Sequence, residues 1–297
     1  MYGVEEVRKA VHNPHVVLRE LNRMYHRRLW TRPHNTDGTD VFEEDWDNLV
    51  ILDACRYDTF AEHAADRLPG TLSKRESRGA ATPEFVRGNF TDKRLHDTVY
   101  VTSNTWFLKL RDDIDAEVHA VTLARGKDAS VVTEHALEAN EEHPNKRLVV
   151  HYIPPHHPFV GPTADRELPP YEEQENDLFE RIQRGHLDVS DETLRQAYVE
   201  NLDRVIPEVE TLLDELAGKT VVTADHGELM GDRTAPVPIR DYGHHVGLYV
   251  DELVDVPWLE VEGETRKRIV PEEPDEDVEV YSDEEVDQQL RDLGYKV

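Results

Sequence analysis

Short apolar runs alternating with stretches of helical periodicity dominate the chain from about Asp45 onward. Asn48-Leu-Val-Ile-Leu52 reads as a buried strand, and residues 57–68 as a helix that ends before Pro69-Gly70. Further strands are predicted at Thr98-Val-Tyr-Val-Thr102, Val118-His-Ala-Val-Thr-Leu123 and Arg147-Leu-Val-Val-His-Tyr152. Residues 192–216 carry the pattern of one long helix, or of two bent near Pro207. Gly218 ends it before the strand Thr220-Val-Val-Thr223. Buried β-branched strands interleaved with helices predict an α/β fold of three layers, α/β/α, with a mostly parallel central sheet. Such sheets carry their sites at the carboxyl ends of strands, so polar residues just past each run are the ones to weigh.

The two ends differ from this middle. In residues 1–34, Arg8, Lys9, Arg19, Arg23, Arg27, Arg28 and Arg32 face only Glu5, Glu6 and Glu20, a net +4. Leu18, Leu21, Tyr25 and Leu29 recur at helical spacing after Pro14, which predicts an amphipathic helix. It either packs on the main domain or offers a docking surface to an acidic partner or an anionic membrane. Residues 271–297 are strongly acidic. Ser282 with Glu285 forms a capping-box pattern and Gly294 a stop, so a short helix is predicted around Val286, Leu290 and Leu293. The expected organisation is a basic helical extension (1–40), a main domain (41–262) and an acidic segment (263–297).

With 297 residues, the chain is long enough for one large core with small appendages. Its formal charge of −29 excludes a general nucleic-acid binder, which needs a basic surface. Abundant Asp and Glu with only nine Lys resembles proteins of salt-loving organisms, whose carboxylates keep the surface hydrated. A single cysteine, Cys55, leaves no intrachain disulfide and no cysteine-cluster metal site; it reads as a small buried hydrophobe. No apolar stretch approaches the ~20 residues of a membrane span. The opening residues form no apolar signal segment, so a cytoplasmic protein is expected. A homo-oligomer is compatible with this composition.

The strongest chemical signal is Thr223-Ala-Asp-His-Gly-Glu228, directly after a predicted strand. Asp225 and His226 side by side at a strand end reach one divalent ion, the carboxylate supplying charge and the imidazole a borderline-soft nitrogen. The second is Asp53, first after the Asn48–Leu52 strand, where a carboxylate is costly unless paired or metal-bound. The alternative for Asp53 is a helix cap; Asp58, further on, is read as capping or bracing the next helix.

These segments resemble the alkaline phosphatase/sulfatase superfamily, more particularly its sulfatase-like branch. Pro155-His-His-Pro-Phe159 is similar to that branch's Pro-His-x-Pro-Phe element, with His156 at the substrate-contacting position. Tyr242-Gly-His244 and the stretch from Leu248 to Trp258 resemble the segment after the Asp-His-Gly pair, where His244 would touch substrate or a metal. The resemblance spans residues 45–261 and implies an alkaline phosphatase-like fold. It also implies a nucleophilic hydroxyl at a helix N-terminus. Arg78-Gly-Ala-Ala-Thr-Pro-Glu-Phe85 is the matching stretch, with Thr82 as N-cap and nucleophile and Pro83 as first helical residue; Ser77, Ser103 and Thr105 are fallbacks. Two departures speak against a formylglycine sulfatase. Ala81 stands where the modified Cys or Ser would, with Glu84 and Phe85 in place of the Ser-Arg after Pro83. Ser103-Asn-Thr-Trp106 replaces a Gly-Lys-Trp-His element.

The resemblance therefore implies a metal-dependent hydrolase or transferase of phosphate mono- or diesters using Thr82. The alternatives are a sulfate-ester hydrolase with an unmodified hydroxyl, or an inactive metal-binding module. Asp53, Asp225, His226 and His244 are the expected ligands of one or two divalent ions (Zn, Mn, Mg or Ca). His156, His244, Arg78 and Asn104 are expected to steady the phosphoryl oxygens or protonate the leaving oxygen, with His151, His157 and His245 as neighbours that could exchange roles with the two histidines. The expected substrate is an anionic ester: a small molecule, a glycan or a lipid head group. If the basic N-terminal segment docks a partner or membrane, removing residues 1–34 will weaken that association in a co-sedimentation assay; unchanged association removes the docking role.

Overall fold

The computed structural model describes residues 14–125, 128–174, 178–274 and 283–292. Among them the strands are β1 (Asn48–Leu52), β2 (Thr71–Glu76), β3 (Arg94–Thr102), β4 (Glu117–Leu123), β5 (Arg147–Tyr152), β6 (Thr220–Thr223), β7 (Leu229–Arg233), β8 (Arg240–Gly243) and β9 (Asp255–Val261). The helices are α1 (Pro14–His26), α2 (Tyr57–His63), α3 (Thr82–Phe90), α4 (Trp106–Leu110), α5 (Ala129–Glu142), α6 (Pro162–Glu167), α7 (Tyr171–Gln174), α8 (Leu178–Gln183), α9 (Asp191–Glu215), α10 (Asp251–Val254) and α11 (Asp283–Asp292).

Seven strands form one sheet in the order β2-β9-β6-β1-β5-β3-β4, and β7 pairs with β8 as a separate hairpin. β6, β1, β5, β3 and β4 are mutually parallel. β9 runs antiparallel to both β6 and β2, so β2 shares the direction of the parallel set. The reason β1 sits at the centre is legible in its composition: all five of its residues are buried, which only a strand covered on both faces permits. Its side chains divide by alternation. Val50 and Leu52 join Phe60 of α2, Ala136 of α5 and Leu202, Val205 and Val209 of α9 on one face. Leu49 and Ile51 join Phe85 of α3, Phe107 of α4 and Trp258 on the other. Helices thus cover both faces, the three-layer α/β/α arrangement expected.

Several local expectations change. The helix after β1 ends at His63, with residues 64–68 in turns. The 192–216 pattern is one helix, α9, which continues through Pro207 and is capped by Ser190 accepting from Thr193 N. α1 starts at Pro14 itself and ends before Leu29, because Arg28, Leu29 and Trp30 all take positive φ. The acidic segment is not a detached tail in its described part: Arg266 bonds Asp45 and Asp47, and Val286 and Leu290 of α11 are buried in the α3/α4 face. Glu5, Glu6, Arg8, Lys9, Ser282, Leu293 and Gly294 lie outside the described residues.

Above the sheet's carboxyl edge a smaller apolar cluster gathers Phe159, Leu178 and Ile182 against Leu194, Tyr198 and the β7–β8 hairpin. It fixes that hairpin over the strand ends. Phe60 is fully buried in the larger cluster, so Phe60→Ala is expected to cost about 3–5 kcal/mol. Urea denaturation would show it as a lower midpoint with an unchanged slope.

Candidate metal and ester-transfer site

Five strands that point the same way deliver the site's groups from their carboxyl ends. β1 leads directly to Asp53, β3 to Asn104, β5 to His156, β6 to Asp225 and His226, and β2 to Thr82 at the start of α3. The backbone just past β1 is strained: Ala54 has φ +60, a left-handed conformation that costs ~1 kcal/mol or more for a residue with a Cβ. Two hydrogen bonds hold it there, from Ala54 N to Asp225 Oδ1 (3.1 Å) and from Tyr198 Oη to Ala54 O (2.6 Å). At the other strand end Gly227 is required, since a Cβ there would lie 2.1 Å from the Glu252 carbonyl oxygen.

The side chains converge. His226 Nε2 is 3.4 Å from Asp53 Oδ1, 3.4 Å from Asp225 Oδ2 and 3.3 Å from Thr82 Oγ1. His226 Nδ1 lies 2.8 Å from Gly227 O. A carbonyl only accepts, so Nδ1 carries the proton, and burial lowers the ring's pKa and keeps it neutral. Nε2 therefore presents a lone pair to the two carboxylates and the threonine, which is the tautomer a metal ligand needs. Asp53 Oδ2 accepts from Asn104 Nδ2 (2.8 Å), and the Thr82 hydroxyl also bonds the Asp53 carboxylate.

Three fully buried atoms face this space without a hydrogen-bond partner: Asp53 Oδ1, Asp225 Oδ2 and His151 Nε2, the last 3.8 Å from Asp225 Oδ2. Burial and, next, the charge of Asp225 raise Asp53 well above the ordinary carboxylate range. Two buried carboxylates, each with one oxygen that lacks a partner, are costly side by side, and a divalent cation between them would attract both. The donor set fits a metal: carboxylate oxygens and a bare imidazole nitrogen suit Zn or Mn.

A second group lies beside the first. Donor atoms of His156, Glu228 and His244 all lie within 4.8 Å of one another. The hairpin register makes this pair of ends meet: Leu229 of β7 is opposite Gly243 of β8, which places Glu228 across from His244. His244 Nδ1 is 3.1 Å from Glu228 Oε1, and the His244 ring lies 4.4 Å from that of His226 and 5.1 Å from that of His156. Burial pushes Glu228 up to about 8 and lowers His156 and His244 to about 4, leaving both rings neutral at pH 7. His156 Nδ1 bonds the His157 carbonyl, so it too keeps Nε2 free of a proton.

Asp53, Thr82, Asn104, His156, Asp225, His226 and His244 are thus brought together, and Arg78 is not. Its guanidinium bonds Asp40 Oδ2 (2.9 Å) and Gly88 O (2.8 Å), tying α3 to the 3₁₀ turn before β1. Asn104 directs its amide towards Asp53 rather than into open space. Thr82 is the first residue of α3 with Ala81 in the cap position, and Pro83 is the second, one place later than expected. Ser77 bonds Asp225 O and Thr105 bonds Val286 O, so both have structural duties. Asp58 braces rather than caps: it pairs with Arg56 and accepts from Thr59 N (2.7 Å). Cys55 is buried, and burial pushes its thiol up, as a packing residue requires. His245 pairs with Asp241, and His157 packs on Phe179. Glu228 carries no role in the sequence reading, and His151 enters it only as a substitute for His156 or His244. Glu228 had a signal, as the fourth residue of the Asp-His-Gly-Glu run; His151 had only its place near the end of β5.

No family model matches the chain, and no curated protein matches it by sequence. Solved structures do. The zinc complex of the C-terminal periplasmic domain of EptC from Escherichia coli is similar at 14% identity and a TM-score of 0.49, covering 76% of this chain and 75% of that one. The C-terminal periplasmic domain of phosphoethanolamine transferase EptC from Campylobacter jejuni gives 15%, 0.46, 73% and 78%. A putative sulfatase from Bacteroides thetaiotaomicron gives 14%, 0.46, 76% and 66%. These neighbours correct the expectation of a cytoplasmic protein: the EptC domains are periplasmic, so the lack of an apolar opening segment assigns no compartment to this fold. Among the described residues no helix is long and apolar enough to cross a membrane. In its ordered motifs and its sheet architecture the chain is similar to enzymes of the alkaline phosphatase/sulfatase superfamily.

Proposed function

We propose that the chain is a metal-dependent enzyme that hydrolyses or transfers phosphate-ester groups, with Thr82 as nucleophile. The observation that carries this reading is the position of Thr82: a buried hydroxyl in the first turn of α3, bonded to Asp53 and 3.3 Å from His226 Nε2. The first turn of a nine-residue helix adds backbone N–H donors suited to an anionic group.

Asp53, Asp225 and His226 would hold a divalent cation, and His151 Nε2 faces the same space. When bound, the ion supplies positive charge that lowers the pKa of the threonine hydroxyl and polarises a phosphoryl oxygen. The Thr82 hydroxyl loses its proton to solvent, its oxygen forms a bond to phosphorus as the bond to the leaving oxygen breaks, and the leaving oxygen takes a proton from water. Asn104 keeps the Asp53 carboxylate aimed at this point. With Glu228, His156 and His244 would hold a second cation; where the rings instead take up a proton as the anionic group arrives, they donate to its equatorial oxygens. Water or an acceptor alcohol then takes the group from Thr82 and frees the enzyme.

Phosphate rather than sulfate is favoured by what fills the sulfatase positions. Glu84 is buried and accepts from Ala80 N, Gly247 N and Tyr249 Oη, and Phe85 lies in the core. Neither side chain serves the modification or substrate binding that a formylglycine sulfatase has there. Parallel assays on aryl phosphate, phosphodiester and aryl sulfate separate the two; turnover of sulfate alone would overturn the preference.

Thr82→Ala is expected to reduce turnover by about 10³-fold or more while metal content stays the same. Near-normal activity in that variant would end the nucleophile assignment. Asp225→Asn and Asp53→Asn should each lower bound metal, measured by plasma mass spectrometry after dialysis. Glu228→Gln should remove the second of two ions if both groups are filled; unchanged stoichiometry would assign His156 and His244 to the substrate.

Metal removal also has a pH signature. In the metal-free protein Glu228 titrates near 8 when folded against 4.5 when unfolded, so between these values the folded state binds the extra proton. His156 and His244, at about 4 folded against 6.5 unfolded, act in the opposite sense up to pH 6.5. Above 6.5 the carboxylate acts without that offset, and the chelated protein should lose stability as pH rises towards 8. Zinc or manganese should flatten this slope in thermal melts recorded at pH 6.5, 7.2 and 8; a slope insensitive to metal would contradict the two-group centre.

A further inference from the structure

Large hydrophobic side chains stand exposed at Val16, Val17, Leu21, Tyr25, Leu29 and Trp30, and all of them lie on α1 or in the turn just past it. Val17, Leu21 and Tyr25 recur every fourth residue, so they form one stripe along the helix. The stripe is directed away from the protein: Tyr25 is 65% exposed and Leu29 70%.

The polar side of α1 is what holds it in place. Asn22 is buried, donates to Thr234 Oγ1 and Val237 O (both 2.9 Å), and accepts from Val237 N (2.8 Å). Arg19 pairs with the buried Asp241, Arg23 Nε donates to Val246 O (2.7 Å), and His26 bonds Ala235 O (2.8 Å). An amphipathic helix of a globular protein ordinarily buries its apolar stripe. Here Thr234, Ala235, Val237, Asp241 and Val246, around β8, take the polar face instead, and the apolar one is left outward.

Charge selects the occupant. Residues 14–34 contain five arginines and one acidic residue, Glu20, within a chain of net charge −29. Arg28 is 68% exposed, with only the exposed Asp37 near it at 4.0 Å, and the guanidinium groups of Arg23 and Arg27 lie 5.4 and 4.8 Å from the Trp30 ring. A tyrosine, a tryptophan and arginines at the edge of an apolar stripe are the residues that settle at the boundary between acyl chains and phosphate groups. A second copy of the chain docked on this face would set the local basic cluster against itself. An acidic protein partner would set carboxylates against aliphatic side chains. A phospholipid surface offers acyl chains to the stripe and phosphates to the arginines at once.

We infer that α1 lies in the interface of an anionic phospholipid bilayer, with Val17, Leu21, Tyr25 and Leu29 towards the acyl chains and Arg28 among the headgroups. The helix is bonded to the segment from Thr234 to Val246, which carries His244, so docking sets the candidate site beside the lipid surface.

The test uses the full chain with vesicles of phosphatidylglycerol and phosphatidylcholine, and with phosphatidylcholine alone. The protein should sediment with the anionic vesicles, and Trp30 emission should shift to the blue, a shift that Trp30→Phe removes. The double variant Leu21→Glu with Tyr25→Glu should partition at least about tenfold less while keeping the wild-type melting temperature. Three results overturn the inference: a wild-type chain that stays in solution with both vesicles, a double variant that partitions like wild type, or a solution dimer that the same two substitutions dissociate.

Discussion

Burying several carboxylates at one end of an apolar sheet is the constraint on which the rest of this structure depends. Asp53, Asp225 and Glu228 are all fully enclosed, and the guanidinium of Arg56, which donates to the Glu228 backbone oxygen, pairs with Asp58 and Asp232 rather than with these side chains. Each such charge costs several kcal/mol when it lacks a counter-charge. The imidazoles around them stay neutral, so without a cation the cluster is relieved only by protonation, and burial accordingly raises Asp53 and Glu228. A divalent cation would supply the missing positive charge instead. Under the proposed function, stability and chemistry would draw on one electrostatic balance.

The sheet supplies the precision that this balance demands. Because six of seven strands share a direction, the groups arrive on one edge, and each is held by contacts beyond its own strand. Tyr198 of α9 bonds both the Ala54 carbonyl and the Arg56 amide, so the long helix on one face steadies the loop that carries Asp53. On the other face α3 delivers Thr82 while Phe85, Val86 and Phe90 anchor it in the core. Thr82 and the carboxylates are thus positioned from opposite layers of the molecule and meet at the sheet's rim.

How much of this was legible in the sequence follows from the range of the interactions involved. β1, β5 and β6 were readable at their observed boundaries, since a strand buried on both faces is marked by its own residues. Asp53, Asp225 and His226 were readable because they follow such strands directly. The second group was only partly so. His156 and His244 came from the family resemblance, but Glu228 joins them through the β7–β8 register, and that hairpin has no clear alternation in Leu229–Arg233 or Arg240–Gly243. Arg78 failed to appear at the site because its partner, Asp40, is far away in sequence and gave no warning. The α1 stripe was visible as periodicity, yet which side faces the protein depended on acceptors around residues 234–246 that no local pattern reveals.

Gly227 carries a last consequence. The space where any side chain would begin is filled by the backbone oxygen of Glu252, so the middle of the Asp-His-Gly-Glu run is closed to every other amino acid on steric grounds alone. The loop from Val250 to Val254 therefore acts as a mould: it dictates the shape of the turn, and the turn in turn aims His226. An inventory of this protein's tolerated variants would find position 227 held to glycine for a reason that has nothing to do with chemistry.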